Sequence, residues 1–372
     1  MIILRTKEYL YQVCEEFFDV KNIVDIKELT TGNINETYIV EFPKCRYILQ
    51  LLNAHVYYSP IGVMNNTRLI VDHIRKKCIY RGYNAHKTVL NFIKTKYNQD
   101  LAIIDNEYWR CSEYIENSYS LEKVNNIMDF HQIGKAIGNF QDLLSDFPTK
   151  LLDDSIKHFH DTPYRYNNFL EIVKLDKYDR VKEALEEIAF IQKRASRLGI
   201  IMNLLKEGKI PSRVTHNDTK ASNVLLDKNT NEFLCLIDLD TVMKGSLLFD
   251  YGDALRFGAS VTSEDDEALE RVDIDLKWVR FFTKGFFEEL DMNNITKEEI
   301  NHLYDGLWVI TIELAMRFLH DYLDGDHYFR VTKAHHNLIR AKNQLQLLRK
   351  IEEKEASIKA IINEVLEKYL KN

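Results

Sequence analysis

The chain is poor in the residues that break regular structure, with only 13 glycines and 5 prolines among 372 residues. The usual shares are about 7% and 5%. That scarcity argues against a turn-rich all-β design and for a helix-heavy α+β protein. Cysteine is also scarce and scattered. Cys14, Cys45, Cys78, Cys111 and Cys235 are odd in number and form no Cys-x-x-Cys pair. This argues against a disulfide framework or a zinc knuckle and predicts a reducing, cytoplasmic setting. Long hydrophobic runs are missing as well. The start, Met1-Ile2-Ile3-Leu4-Arg5, meets charge too soon for a signal-peptide core, and stretches such as Leu307–Ile312 stop far short of the ~20 residues that span a bilayer. Finally there is no basic excess: Lys+Arg 50 against Asp+Glu 57 leaves a net charge of −7. Neither nucleic acid nor a membrane surface is expected as a partner.

What is present is an ordinary globular composition, 45% apolar and 29% charged, with Phe 19 and Tyr 20. At about 150 residues per domain, the length predicts two folding units or three. After an amphipathic helix (about Lys7–Phe18), Val24–Thr30, Glu36–Phe42 and Arg46–Leu52 read as strands, separated by turns at Thr31-Gly32-Asn33 and Pro43-Lys44. Ser59-Pro60 reads as the cap and first position of a helix running to about Lys77, and Ala102–Asp105 with Glu107–Ile115 as a further hairpin. From Asn125 the pattern changes to long 3.6-period faces: Asn125–Ser145, Arg180–Lys206, Leu276–Leu290, Glu298–Leu323 and Lys333–Lys371. A strand-rich island, Val214–Ile237, interrupts them. We therefore expect a small antiparallel-sheet lobe over residues 1–116 and a large, mainly helical lobe over 117–372, joined near Asn117–Ser120.

The most informative segment runs Arg213-Val214-Thr215-His216-Asn217-Asp218-Thr219-Lys220-Ala221-Ser222-Asn223, then through Val224–Leu226 and Phe233–Ile237 to Asp238-Leu239-Asp240. Two apolar runs around the polar turn Asp227–Glu232 predict a hairpin. The open ends of such a hairpin lie about 5 Å apart, and they carry Asn223 and Asp238. An amide oxygen and a carboxylate are hard ligands of the kind Mg²⁺ takes beside water and phosphate oxygens. Five residues before Asn223 stands Asp218, a carboxylate able to accept a hydroxyl proton. The order His-x-Asp-x-Lys-x-x-Asn, hairpin, Asp is the layout of phosphoryl transfer. Each residue taken singly is an ordinary turn or cap residue; the joint spacing carries the reading.

This stretch resembles the catalytic loop of the aminoglycoside-phosphotransferase-like kinases, which are similar to protein kinases. Longer strings resemble one branch, the bacterial N-acetylhexosamine 1-kinases. They are Arg213–Asn223, Ile237–Met243, Phe249–Ser260, Phe159–Pro163, Arg317-Phe318-Leu319, Tyr47-Ile48-Leu49-Gln50 and Gly32-Asn33-Ile34-Asn35. The resemblance implies a two-lobe protein-kinase-like fold that uses ATP and Mg²⁺ to phosphorylate the anomeric hydroxyl of an N-acetylhexosamine. It implies Asp218 as the base, Lys220 as a cation on the transferring group, and Asn223 and Asp238 as metal ligands. Glu113 and Ile115, in the stretch Ser112–Ile115, would receive the adenine. Asp240 is either a carboxylate behind the metal ligands or a turn residue, and His216 a loop support. A protein kinase has several glycines over the phosphates and a strand lysine; here only Gly32 and the neutral Gln50 stand in those places. Gln50 would hydrogen-bond phosphate without neutralising it.

On the substrate side the resemblance implies Arg317 and Tyr328 as sugar contacts, with Asn33 where the branch has a histidine. The alternatives are an exposed ion pair of Arg317 with Glu313 or Asp321 and a core position for Tyr328. His158–Pro163 reads as a helix start with Thr162 as cap and Pro163 at the first position, with a sugar-site lid as the alternative and a metal site least favoured. Kinases of choline, an aminoglycoside, homoserine or another sugar, and a non-catalytic sensor, are the rival functions.

Overall fold

A computed structural model of the chain describes residues 5–29, 35–54, 56, 57 and 59–370. They form two compact units. The first gathers Met1–Tyr119, Lys150–Ile156 and Leu225–Met243; the second gathers Ser120–Thr149, Lys157–Val224 and Lys244–Asn372. The class is α+β, with an antiparallel sheet in the N-terminal region and a mostly helical C-terminal part.

In the first unit, Thr6 caps the helix Lys7–Glu15, whose Leu10, Val13 and Cys14 pack into a core with Tyr38, Val40, Leu49, Trp109 and Cys111. The strands Asp25–Leu29, Glu36–Glu41, Arg46–Leu52 and Glu107–Glu113 are successive antiparallel neighbours. Register places Thr37 opposite Gln50 and Gln50 opposite Arg110, so a polar row crosses three strands of the sheet. The helix Pro60–Arg81 starts as its sequence predicts. Ser59 accepts from the Gly62 N–H at 3.0 Å, and Gly82, at φ 73°, closes the other end. The expected hairpin is also present: Val224–Asp227 pairs with Phe233–Leu236 and, on its other edge, with Ser118–Tyr119.

The second unit is built on helices. Gly252 and Gly306 let Leu247–Gly258 press against Leu303–Leu323. A Cβ on Gly252 would sit 2.4 Å from the Gly306 carbonyl carbon, and one on Gly306 2.2 Å from the Leu248 oxygen. This close approach matters because the two helices carry Asp250, Asp253, Glu313 and Arg317. Three long periodic faces prove to be broken. Arg180–Lys206 divides into helices Leu185–Gln192 and Ile200–Lys206, with Gly199 capping the second and the short 3₁₀ turn Ala195–Arg197 between. Glu298–Leu323 breaks at His302, and Lys333–Lys371 breaks at Lys354, whose ammonium is held by Asp273 and the Ile274 carbonyl. Apolar spacing persists across a one-residue break, so periodicity alone does not reveal it. The helix at Thr162–Leu175 also differs in its cap. Asp161, not Thr162, accepts from the Tyr164 N–H, because the Thr162 hydroxyl is committed to Glu313.

All five cysteines are free; Cys45 is exposed and the other four are buried. Among the described residues no helix is long and apolar enough to cross a membrane.

Candidate active site

The loop after the buried strand Arg213–Thr215 is shaped by two carboxylates one helical turn apart. Asp250 accepts from the backbone N–H groups of His216 and Asn217, both at 2.8 Å, and from the Gln141 amide at 2.7 Å. Gln141 in turn donates to the Val214 carbonyl. Burial pushes the Asp250 carboxyl up to about 6, although the His216 charge and these hydrogen bonds pull the other way. Asp253 accepts from the Thr219 N–H at 3.2 Å and its hydroxyl at 3.1 Å. Asn217 takes a left-handed φ of 66°, which asparagine tolerates better than branched residues.

Held this way, the loop brings three predicted residues together. The Lys220 ammonium lies 2.6 Å from Asp218 Oδ2, and the Asn223 amide donates to the same oxygen at 3.0 Å and to the Asp218 carbonyl at 2.9 Å. Asn223 donates through nitrogen and keeps Oδ1, the hard oxygen that a magnesium ion prefers. Asn223 closes the 3₁₀ turn that leads into the hairpin, and Asp238 follows the hairpin at φ 61°. Among the described residues no group of three or more His, Cys, Asp or Glu side chains is placed to hold a metal. Asn223 Oδ1 and the Asp238 carboxylate are each oxygen donors of the kind Mg²⁺ takes.

Asp240 is no surface turn residue. It is buried and paired with Arg110 at 2.5 Å, their side chains 0% and 3% exposed. Asn35 donates to its other oxygen at 2.6 Å. Arg110 also donates through Nε and Nη2 to Gln50 Oε1, and the Gln50 amide donates to Thr37. The neutral Gln50 thus has a guanidinium beside it on the next strand. Sequence reasoning passed over Arg110, whose only signal is a charged residue inside the strand Glu107–Glu113. At the sheet's end, the Glu113 N–H donates to the Asn91 carbonyl, and the Ile115 carbonyl accepts the Ser118 hydroxyl.

On the helical side, Arg317 forms no ion pair with Glu313 or Asp321. Both carboxylates are buried and held elsewhere: Glu313 by His160 and Thr162, Asp321 by the N–H groups of His327, Tyr328 and Phe329 and by Asn337. Arg317 instead lies over the rings of Phe159, Tyr328 and Phe329 at 5.1, 5.7 and 5.5 Å, and approaches the Tyr328 hydroxyl at 3.4 Å. Tyr328 is 62% exposed, which removes the core alternative. Arg165 lies close by, its guanidinium lowered to about 10 by burial and by the charge of Arg317. Asn33 lies outside the described residues.

Residues 123–282 match the family described as phosphotransferase enzyme family. The fold is similar over nearly the whole chain to those of small-molecule kinases. A microcompartment-associated aminopropanol kinase is 15% identical at a TM-score of 0.64, with 95% of this chain and 98% of that one covered. A choline kinase from Cryptosporidium parvum is 14% identical at 0.59, covering 99% and 100%. Spectinomycin phosphotransferase, solved with ADP and spectinomycin, is 13% identical at 0.56, covering 94% and 99%. Residues 123–282 thus match the phosphotransferase enzyme family, and the fold over nearly the whole chain is similar to those of small-molecule kinases.

Proposed function

We propose that the chain transfers the γ-phosphoryl group of ATP to the anomeric hydroxyl of an N-acetylhexosamine, giving ADP and the sugar 1-phosphate. The observation that carries this reading is the Asp218–Lys220–Asn223 cluster in the unit that also holds Arg317 among aromatic rings. Asp218 takes the proton of the attacking hydroxyl. The hydroxyl oxygen forms the new bond to phosphorus while the bond to the β-phosphate oxygen breaks, its electron pair leaving with ADP. Lys220 offsets charge on the transferring group. Mg²⁺, when bound, neutralises charge on the phosphate oxygens, and Asn223 and Asp238 are its protein ligands in this reading. Gln50, Glu113 and Ile115 are assigned to the nucleotide, and Asn33, Arg317 and Tyr328 to the sugar.

The named relatives of similar fold act on aminopropanol, choline and spectinomycin. Cationic alcohols are bound by carboxylates and open aromatic faces. Here the rings of Phe159, Tyr328 and Phe329 are covered by Arg317, with Arg165 beside it. Two fixed cations favour a neutral, hydroxyl-rich acceptor. An ADP-release assay over free sugars, choline, aminopropanol and aminoglycosides tests this, with phosphorus NMR of the product. Turnover of N-acetylglucosamine or N-acetylgalactosamine with phosphate on the anomeric carbon is expected. Turnover confined to amines would overturn the sugar assignment.

A further inference from the structure

His160 is left incomplete by everything described so far. Its Nδ1 lies 2.8 Å from Glu313 Oε1, while the Thr162 hydroxyl donates to Oε2 at 2.5 Å and Arg165 Nε stands 3.7 Å from Oε1. The imidazole packs against Phe159 and Phe249, with centroids 4.6 and 4.8 Å away. Its other nitrogen, Nε2, is buried and has no hydrogen-bond partner among the described residues. Native proteins rarely leave a buried side-chain nitrogen so, unless a ligand or water completes it.

An ionised carboxylate only accepts, and in the tautomer whose Nδ1–H is donated to Glu313 the other nitrogen, Nε2, offers a lone pair. Phe159, the ring against His160, also lies beneath Arg317. Phe249, the other ring against His160, lies on the helix Leu247–Gly258, which also carries Asp253, the residue that holds Thr219 next to the proposed base. Burial would raise the Asp253 carboxyl, but Arg256 foremost, with the Thr219 hydroxyl, holds it below its ordinary value. The charged groups beside His160 are Glu313 and, on the same carboxylate oxygen, Arg165.

We infer that His160 binds the acceptor: its Nε2 takes a hydrogen bond from a hydroxyl or amide N–H of the sugar, in a tautomer fixed by Glu313. This rests on the sugar-kinase reading and adds to it a recognition contact that specifies a donor on the substrate. The test uses two side chains that mimic one ring nitrogen each. His160→Asn keeps an N–H where Nδ1 stood and loses Nε2; His160→Gln reaches the Nε2 position and gives up the bond to Glu313. We expect His160→Asn to keep the melting temperature and the KM for ATP while the KM for the sugar rises about tenfold, a hydrogen-bond-sized effect. His160→Gln should melt lower yet recover most of the acceptor KM.

An unchanged acceptor KM in His160→Asn, or variants that differ only in melting temperature, would overturn the inference and leave His160 a structural residue completed by water. If neither variant folds, titrating the ¹⁵N-histidine-labelled protein with N-acetylglucosamine decides it. A shift of the His160 Nε2 resonance supports the contact, and none at saturation refutes it. Should the protein phosphorylate only a different alcohol, the sugar reading fails by itself. The same comparison on that alcohol then decides the role of His160.

Discussion

Arg110→Met tests whether a buried charge pair sets the turn after the hairpin. Arg110 and Asp240 are almost wholly excluded from water and meet at 2.5 Å, so the methionine leaves a buried carboxylate held by the Asn35 amide. Two unit charges about 4 Å apart attract by about 4 kcal/mol at an effective dielectric of about 20. Removing one partner of such a pair typically costs about 3–5 kcal/mol. That is a large part of the roughly 5–15 kcal/mol that holds a domain folded. Asp240 stands two residues after Asp238, so the loss is expected in function too, as at least a tenfold rise in the KM for magnesium-ATP. The assay is urea unfolding of the intact chain with Arg110→Met, Asp240→Asn and the double variant, alongside steady-state kinetics. The double variant, which removes both charges, should be clearly more stable than the sum of the single losses predicts. Single losses below about 1 kcal/mol, the size of an exposed pair, or strict additivity in the double variant, would refute the reasoning.

Replacing the base by Asp218→Asn should lower turnover by about 10²–10⁴-fold or more while ATP binding, read by calorimetry, persists; near-normal turnover would refute the assignment. Burial alone would raise the Glu313 carboxyl, yet His160, Arg165 and Thr162 outweigh it and hold the group below its ordinary value of 4.5. Its native state then binds fewer protons than its unfolded state, so this stabilisation is present above pH 4.5 and fades as pH falls through the lower native value. Urea midpoints should show the gap between the wild type and Glu313→Gln narrowing on acidification; a gap that widens would be the wrong sign. Gly252→Ala puts a Cβ 2.4 Å from the Gly306 backbone. It should destabilise the chain by about 1–3 kcal/mol or more and slow turnover, as scanning calorimetry and the ADP assay would report.

Much of the strand-rich half was legible because its signals are local. Alternation marked the strands, and Ser59-Pro60 marked a helix start that Ser59 does cap. The spacing of Asp218, Lys220 and Asn223 was legible for the same reason, since five residues of loop bring them into contact. Other features depend on distant partners. Arg110 meets Gln50 only through strand register, 60 residues away, and Glu313 finds His160 across 153 residues. Asp250 and Asp253 were visible as part of a family-like string, but their hold on the loop backbone depends on how helix Leu247–Gly258 packs. Nothing in a contiguous reading signals that Leu225–Met243 clusters with the N-terminal residues.

The single exposed thiol has a practical use. Burial raises the Cys14 and Cys235 thiols to about 12 and pushes those of Cys78 and Cys111 upward as well, so none of the four presents much thiolate near neutrality. Cys45, in the turn between Glu36–Glu41 and Arg46–Leu52, is the open one. A maleimide dye or spin label should therefore attach at one place on the unaltered chain. No cysteine-free background would have to be engineered first.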